Sequence, residues 1–204
     1  MTKIKICGLT NLEDALKAEE LGADFLGFIF FKESPRCIKP DKAKEIVAGL
    51  RGNSEKVGLF LDQDIQEVKD IARLSRLDIL QLHGNEEPAY VAELKKEFKV
   101  IKTFRLKKGF DFNDLGMYNV TDFYLFDTFK KGMFGGTGVV FDWGFLEGKS
   151  FNKPIFLAGG LKPSNVKKAI ERVKPYAVDV ASGVESSPGK KNHKLLEEFI
   201  NAAK

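Results

Sequence analysis

Short runs of β-branched and aromatic residues recur along the chain, each followed by a longer segment with helical spacing of its apolar positions. This alternation restricts the fold more than any other feature. The runs fall at residues 3–7, 25–30, 56–61, 78–82, 99–104, 122–127, 154–158 and 177–181. Their first residues lie 22, 31, 22, 21, 23, 32 and 23 positions apart, the cadence of βα units joined by short loops. Helical patterns fill the intervals at 11–21, 41–50, 65–75, 88–98, 139–146 and 163–173, a closing helix is expected at 192–204, and 109–118 is a weaker helical stretch. Eight strand–helix pairs without linker, repeat or low-complexity segment predict one α/β domain over residues 1–204, a closed (β/α)8 barrel of the TIM type. A doubly wound open sheet is the alternative, but eight parallel strands make a long open sheet for a chain of 204 residues. In a barrel, function belongs at the C-terminal ends of the strands.

Charge and composition narrow the partners. Lys and Arg number 33 against 29 Asp and Glu, a formal net charge of +4, and the excess is spread rather than gathered into the basic stripe that nucleic-acid binding needs. The N-terminus from Met1 to Gly8 has no apolar signal core, and the longest apolar stretch, 25–31, is far short of a membrane span, so a cytoplasmic protein is expected. Cys7, Cys37, His83 and His193 lack metal-ligand spacing, so neither a zinc site nor, in a reducing compartment, a disulfide is expected. Six of the basic residues are arginine, which makes each a better candidate than a lysine for bidentate recognition of a carboxylate or phosphate.

Period-2 alternation in the first strand turns Ile4 and Ile6 toward the helices and Lys5 and Cys7 inward, with Cys7 at the functional rim. Its thiol is either a small buried hydrophobe or a base whose thiolate Lys5 helps to stabilise. The same parity sets Asp127 at the rim end of the sixth strand, as a general acid or a loop-capping carboxylate. Gln81 and His83 share a face at the end of strand four, and Asp179 points inward on strand eight; these are candidate polar linings of the mouth. Gly159 and Gly160 after strand seven, with Ser182 and Gly183 after strand eight, stand where this barrel class cradles phosphate on backbone N–H groups. Arg36, on the proline-stiffened loop after strand two, suits a carboxylate. The glycine-rich stretch 129–138 reads as a lid or as a long turn.

Taken in order, Lys5-Ile6-Cys7-Gly8, Ser34-Pro35-Arg36, Gln81-Leu82-His83-Gly84, Asp127-Thr128, Gly135-Gly136-Thr137-Gly138, Gly159-Gly160-Leu161, Asp179-Val180, Ser182-Gly183-Val184-Glu185 and Pro188-Gly189-Lys190-Lys191 form nine blocks in register. With them the chain resembles the phosphoribosylanthranilate isomerases over essentially its full length. The resemblance implies an Amadori rearrangement of N-(5-phosphoribosyl)anthranilate to 1-(2-carboxyphenylamino)-1-deoxyribulose 5-phosphate in tryptophan biosynthesis, without cofactor, by a monomer or homodimer. It further implies that Asp127 protonates the ring oxygen, Cys7 takes the C2 proton, Arg36 pairs with the anthranilate carboxylate, and backbone near Gly159, Gly160, Ser182 and Gly183 holds the phosphate. Ala181, where a small polar residue is common, and Lys162, before a helix expected to start at Pro163, depart from the pattern. The alternatives are a histidine-pathway or bifunctional isomerase, a non-catalytic phosphosugar-binding barrel, and an aldolase using Lys5 or Lys102 as a Schiff base.

Overall fold

In a computed structural model, residues 1–107, 109–128 and 143–204 are described, Thr128 by its backbone alone. The glycine-rich stretch 129–138 and the start of the helix expected at 139–146 lie outside the described residues. Eight parallel strands pair in chain order: β1 (Lys3–Ile6), β2 (Phe25–Ile29), β3 (Glu55–Phe60), β4 (Ile79–Leu82), β5 (Lys99–Leu106), β6 (Phe123–Thr128), β7 (Ile155–Leu157) and β8 (Ala177–Val180). β8 returns to β1, matching Lys3 with Ala177 and Lys5 with Asp179, and so closes a barrel with no open edge.

Among the described residues six α-helices wrap the barrel: α1 (Leu12–Glu20), α2 (Pro40–Gly49), α3 (Ile65–Leu74), α4 (Pro88–Leu94), α5 (Val166–Val173) and α6 (His193–Ala203). Their starts follow from local chemistry. Asn11, Asp64 and Asn192 accept backbone N–H bonds from the first turns of α1, α3 and α6, while Pro40 and Pro88 open α2 and α4 with a preset φ. The weak helical stretch at 109–118 becomes a 3-10 helix, Phe112–Tyr118. Its Asn113-Asp114 pair and Gly116 disfavour an α-helix, and Phe110 and Phe112 are drawn into an edge-to-face ring pair 5.0 Å apart. A second 3-10 turn, Trp143–Phe145, stands where the described end of the 139–146 pattern falls. The helix expected from Pro163 begins at Val166, so Asn165, not Lys162, holds the N-cap position. A short hairpin of β9 (Glu185–Ser187) and β10 (Lys190–Lys191) precedes α6; strand–helix periodicity gave no sign of it.

The strands sort their side chains as the period-2 pattern requires. Ile4, Ile6, Leu26, Phe28, Leu80, Leu82 and Phe126 pack outward against the helices in one large core. Phe25, Val57, Ile79, Ile101, Leu125 and Phe156 fill the barrel interior in a second, separate core. Each such side chain taken from water contributes about 1.5–3 kcal/mol. The N-terminal end of the interior is aromatic: Phe156 meets Phe25 and Phe123 edge-on, with ring centroids 5.1 and 5.4 Å apart, and Tyr176 lies against all three. The buried polar side chains of the interior face are Lys5, Gln81, Thr103, Asp127 and Asp179, whereas Glu55 and Lys99 pair at the opposite, solvent-facing end. No helix among the described residues is long and apolar enough to cross a membrane.

Candidate active site

The C-terminal mouth of the barrel opens into a cleft of about 790 Å³, counted to open solvent. Cys7, Arg36, Gln81, His83, Asp127, Gly159, Gly160, Asp179, Ser182 and Gly183 all line it. Among the described residues no group of three or more His, Cys, Asp or Glu side chains is arranged to hold a metal ion.

Cys7 follows β1 and is buried. Its side chain fits because β2 presents Gly27 beside it; a Cβ at 27 would lie 2.9 Å from Cys7 Sγ and 3.0 Å from its Cα. On the same inward face Lys5 Nζ donates to Asp179 Oδ1 at 3.0 Å, both groups being buried. Burial pushes the Cys7 thiol above its ordinary pKa, and the Lys5 ammonium in hydrogen-bonding reach offsets only part of that rise. Lys5 acts in the expected direction, but desolvation wins, and the thiol is predominantly neutral at neutral pH. Burial also opposes the charge on Lys5, yet Asp179 and Cys7 together raise its pKa, so it stays an ammonium and a poor Schiff-base nucleophile. Lys102, the other such candidate, has the outward parity of its strand and is buried in an ion pair with Glu86 at 2.7 Å.

Gln81 ends one polar row and His83 follows it. The Gln81 Nε2 amide lies 3.3 Å from His83 Nδ1, which makes Nδ1 the acceptor and puts the imidazole proton on Nε2, 3.5 Å from Asp127 Oδ2. That separation is at the limit of a hydrogen bond. Burial, then the charges of Arg105, Lys5 and Lys102, lower the His83 pKa to about 3, so the ring is neutral at working pH. Arg105 also donates to the His83 carbonyl at 3.0 Å, fixing the backbone from which the ring projects.

Two loops face each other beyond β7 and β8. Gly159 and Gly160 have φ of +89° and +67°, a conformation costly for side chains with a Cβ. Asn165 braces this turn by accepting from the Lys162 N–H at 2.8 Å and donating to the Gly160 carbonyl at 3.0 Å. A Cβ on Gly183 would come within 1.9 Å of the Leu161 carbonyl, so the loops touch there and only glycine fits. Among the described residues, the N–H groups of Gly160, Ser182 and Gly183 have no protein acceptor, as an anion cradle requires.

Arg36 reaches the cleft from the loop after β2, but not as an isolated surface arginine. Glu185 of β9 grips its guanidinium, with Nη2 and Oε2 2.6 Å apart. Lys191 of β10 binds the same carboxylate at 2.9 Å. Sequence reasoning assigned no role to Glu185, Lys191 or Gly27. Gly27 alone left a local sign, a glycine inside an otherwise bulky strand.

With this geometry in hand, the likeness to known proteins is specific. The family model described as N-(5'phosphoribosyl)anthranilate (PRA) isomerase matches residues 4–202. A Geobacter sulfurreducens protein named N-(5'-phosphoribosyl)anthranilate isomerase is 46% identical over 204 residues, covering 100% of this chain and 99% of that protein. The crystal structure of the Thermotoga maritima phosphoribosyl anthranilate isomerase superposes with a TM-score of 0.93 at 37% identity, covering 100% and 98% of the two chains. A crystal structure of such an isomerase in complex with reduced 1-(o-carboxyphenylamino)-1-deoxyribulose 5-phosphate matches at a TM-score of 0.88 and 36% identity, again over 100% and 98%. A match spanning nearly every residue, on a barrel whose mouth gathers these groups, means that the chain belongs to the N-(5'-phosphoribosyl)anthranilate isomerase family.

Proposed function

We propose that Cys7 and Asp127 are the base and acid with which this isomerase converts N-(5-phosphoribosyl)anthranilate to 1-(2-carboxyphenylamino)-1-deoxyribulose 5-phosphate in tryptophan biosynthesis. The observation that carries the reading is the common cleft. A thiol after β1 and a carboxyl group on β6 share it with Arg36 and with two glycine turns whose amides are open to an anion. The phosphate seats on the amides of Gly160, Ser182 and Gly183, and the anthranilate carboxylate on Arg36, so the ribose spans the mouth between Cys7 and Asp127. Gln81, His83 and Asp179 bound the same space as polar walls.

Asp127 gives its proton to the ring oxygen as the C1–O bond breaks, and the nitrogen lone pair forms the iminium. The Cys7 thiolate then takes the hydrogen from C2, and the C–H electron pair becomes the C1–C2 double bond of an enamine, discharging the iminium. Tautomerisation moves a proton to C1 and releases the C2 hydroxyl proton, leaving the ketone. The reaction asks for one protonated group and one thiolate; the barrel rim supplies the two positions, and the base is the fraction of Cys7 ionised at working pH. The unit that does this is the single barrel of residues 1–204, acting on a small phosphoribosyl substrate in the cytoplasm and not on nucleic acid.

The test is loss of anthranilate-type fluorescence when the protein meets phosphoribosylanthranilate generated in situ. Cys7→Ala and Asp127→Asn should each lower kcat by about 10²–10⁴-fold while far-ultraviolet dichroism stays that of the parent. Near-normal turnover by either folded variant removes that residue from the mechanism.

A further inference from the structure

The Arg36 guanidinium is held on one edge by Glu185. Its Nε lies 2.9 and 3.0 Å from the two Glu185 oxygens and its Nη2 lies 2.6 Å from Oε2, a fork that occupies one edge. The Nη1 edge has no acceptor among the described residues. Two further constraints act at the base of the side chain. Ser34 Oγ accepts the Arg36 N–H at 3.1 Å, and Gly8 leaves room for the stem, since a Cβ there would come within 2.7 Å of Arg36 Cδ.

Glu185 is in turn held by Lys191. The Lys191 Nζ donates to Glu185 Oε1 at 2.9 Å, to the Cys7 carbonyl at 2.6 Å and to the Ala181 carbonyl at 3.3 Å. Three acceptors use all three hydrogens of an ammonium; a neutral amine has only two. Burial works against ionised Glu185, but Arg36 and Lys191 hold its pKa below the usual carboxylate range. Burial pulls the Lys191 pKa below that of a free lysine while Glu185 pulls it the other way, and the three acceptors hold the ammonium form, so the cluster carries two cations and one anion. Had Glu185 faced Arg36 alone, the pair would be neutral and an arriving carboxylate would meet the repulsion of Glu185 at close range. Lys191 restores one net positive charge, and its carbonyl contacts tie that charge to the end of β1 beside the thiol and to the loop after β8.

We infer that Glu185 is a positioning residue that sets substrate preference: it turns the open edge of Arg36 toward the carboxylate of the aryl amine, and Lys191 supplies the charge surplus that lets the site accept that second carboxylate. The inference rests on the assignment of Arg36 to the substrate carboxylate. It applies to substrates bearing an ortho-carboxylate and predicts no contribution for an aryl amine lacking one.

The experiment compares phosphoribosylanthranilate with phosphoribosylaniline, each formed in situ from ribose 5-phosphate and the amine, with conversion followed by chromatography. Parent, Arg36→Ala, Glu185→Gln and Glu185→Asp are assayed for kcat and KM on both. Glu185→Gln is expected to raise KM for the carboxylate substrate about tenfold or more, with kcat and the aniline KM changed by less than about twofold. In Arg36→Ala the same glutamine should add no further loss. A KM rise of equal size on both substrates makes Glu185 merely structural and overturns the inference. If Arg36→Ala leaves the preference between the substrates intact, the Arg36 assignment itself has failed; if it abolishes the preference and Glu185→Gln does not, only the inference has failed. Should Glu185→Gln not fold, Glu185→Asp decides: it keeps the charge beside Lys191 but withdraws the fork from Arg36. A selective KM rise supports the inference, and parental kinetics refute it.

Discussion

His83 offers the sharpest quantitative check on the polar end of the barrel. Its pKa falls from an ordinary 6.5 to about 3 in the folded chain, because the ring is buried and Arg105, Lys5 and Lys102 lie near it. A depressed folded pKa means that the associated stability is fully present above pH 6.5 and drains away as the pH falls toward about 3. Across that gap each pH unit costs about 1.4 kcal/mol, so about 2 kcal/mol is lost between pH 7 and pH 5 from this one ring. Urea unfolding at both pH values, on the parent and on His83→Asn, isolates the contribution. The variant is less stable overall because Gln81 loses its partner, but its fall from pH 7 to pH 5 should be smaller than the parent's by about 2 kcal/mol. Proton resonances of the ring should show no titration above pH 5. Equal pH dependence in the two proteins, or a midpoint near 6.5, would refute the depressed pKa and with it the ring's neutrality below pH 6.

The proposed base, Cys7, leads to a second expectation. Because burial raises the Cys7 thiol and Lys5 offsets only part of that, kcat/KM should climb with pH on its alkaline side as thiolate forms. Lys5→Met should move that limb to higher pH and, by stranding Asp179, destabilise the fold by about 3–5 kcal/mol; an unmoved limb would separate Lys5 from the thiol. Gly183→Ala, whose new methyl group collides with the Leu161 carbonyl, should spread the two glycine turns and raise KM for phosphoribosyl substrates by about tenfold or more. An unchanged KM would put the phosphate elsewhere.

What the sequence discloses depends on how local the controlling physics is. Strand parity is local, so Lys5 on β1, Cys7 just after it, Gln81 on β4 and Asp127 on β6 are aimed at the mouth by the sequence pattern alone. The glycine turns at 159–160 and 182–183 were legible for the same reason, since a positive φ or a forbidden Cβ leaves a glycine behind. Helix starts were less so: the pattern pointed to Pro163, whereas Asn165 spends its side chain on the turn and α5 begins one residue later. The fork on Arg36 was out of reach, because Glu185 lies 149 residues away in sequence and no periodicity couples them. Lys191, 184 residues from the carbonyl of Cys7, closes one of the family-like blocks, but nothing in the pattern says what its ammonium touches. The balance between burial and Lys5 at the thiol was equally hidden, since desolvation is a property of the assembled interior.

The aromatic packing of Phe25, Phe123, Phe156 and Tyr176 has a kinetic corollary. A plug at one end turns the barrel into a vessel with a single doorway, so the ketose must leave by the route the aldose came in. Product and substrate then exclude one another from the doorway as well as from the seat, and inhibition by product is competitive from the geometry alone. Catalysis in such a vessel is a queue, in which each product clears the doorway before the next substrate enters.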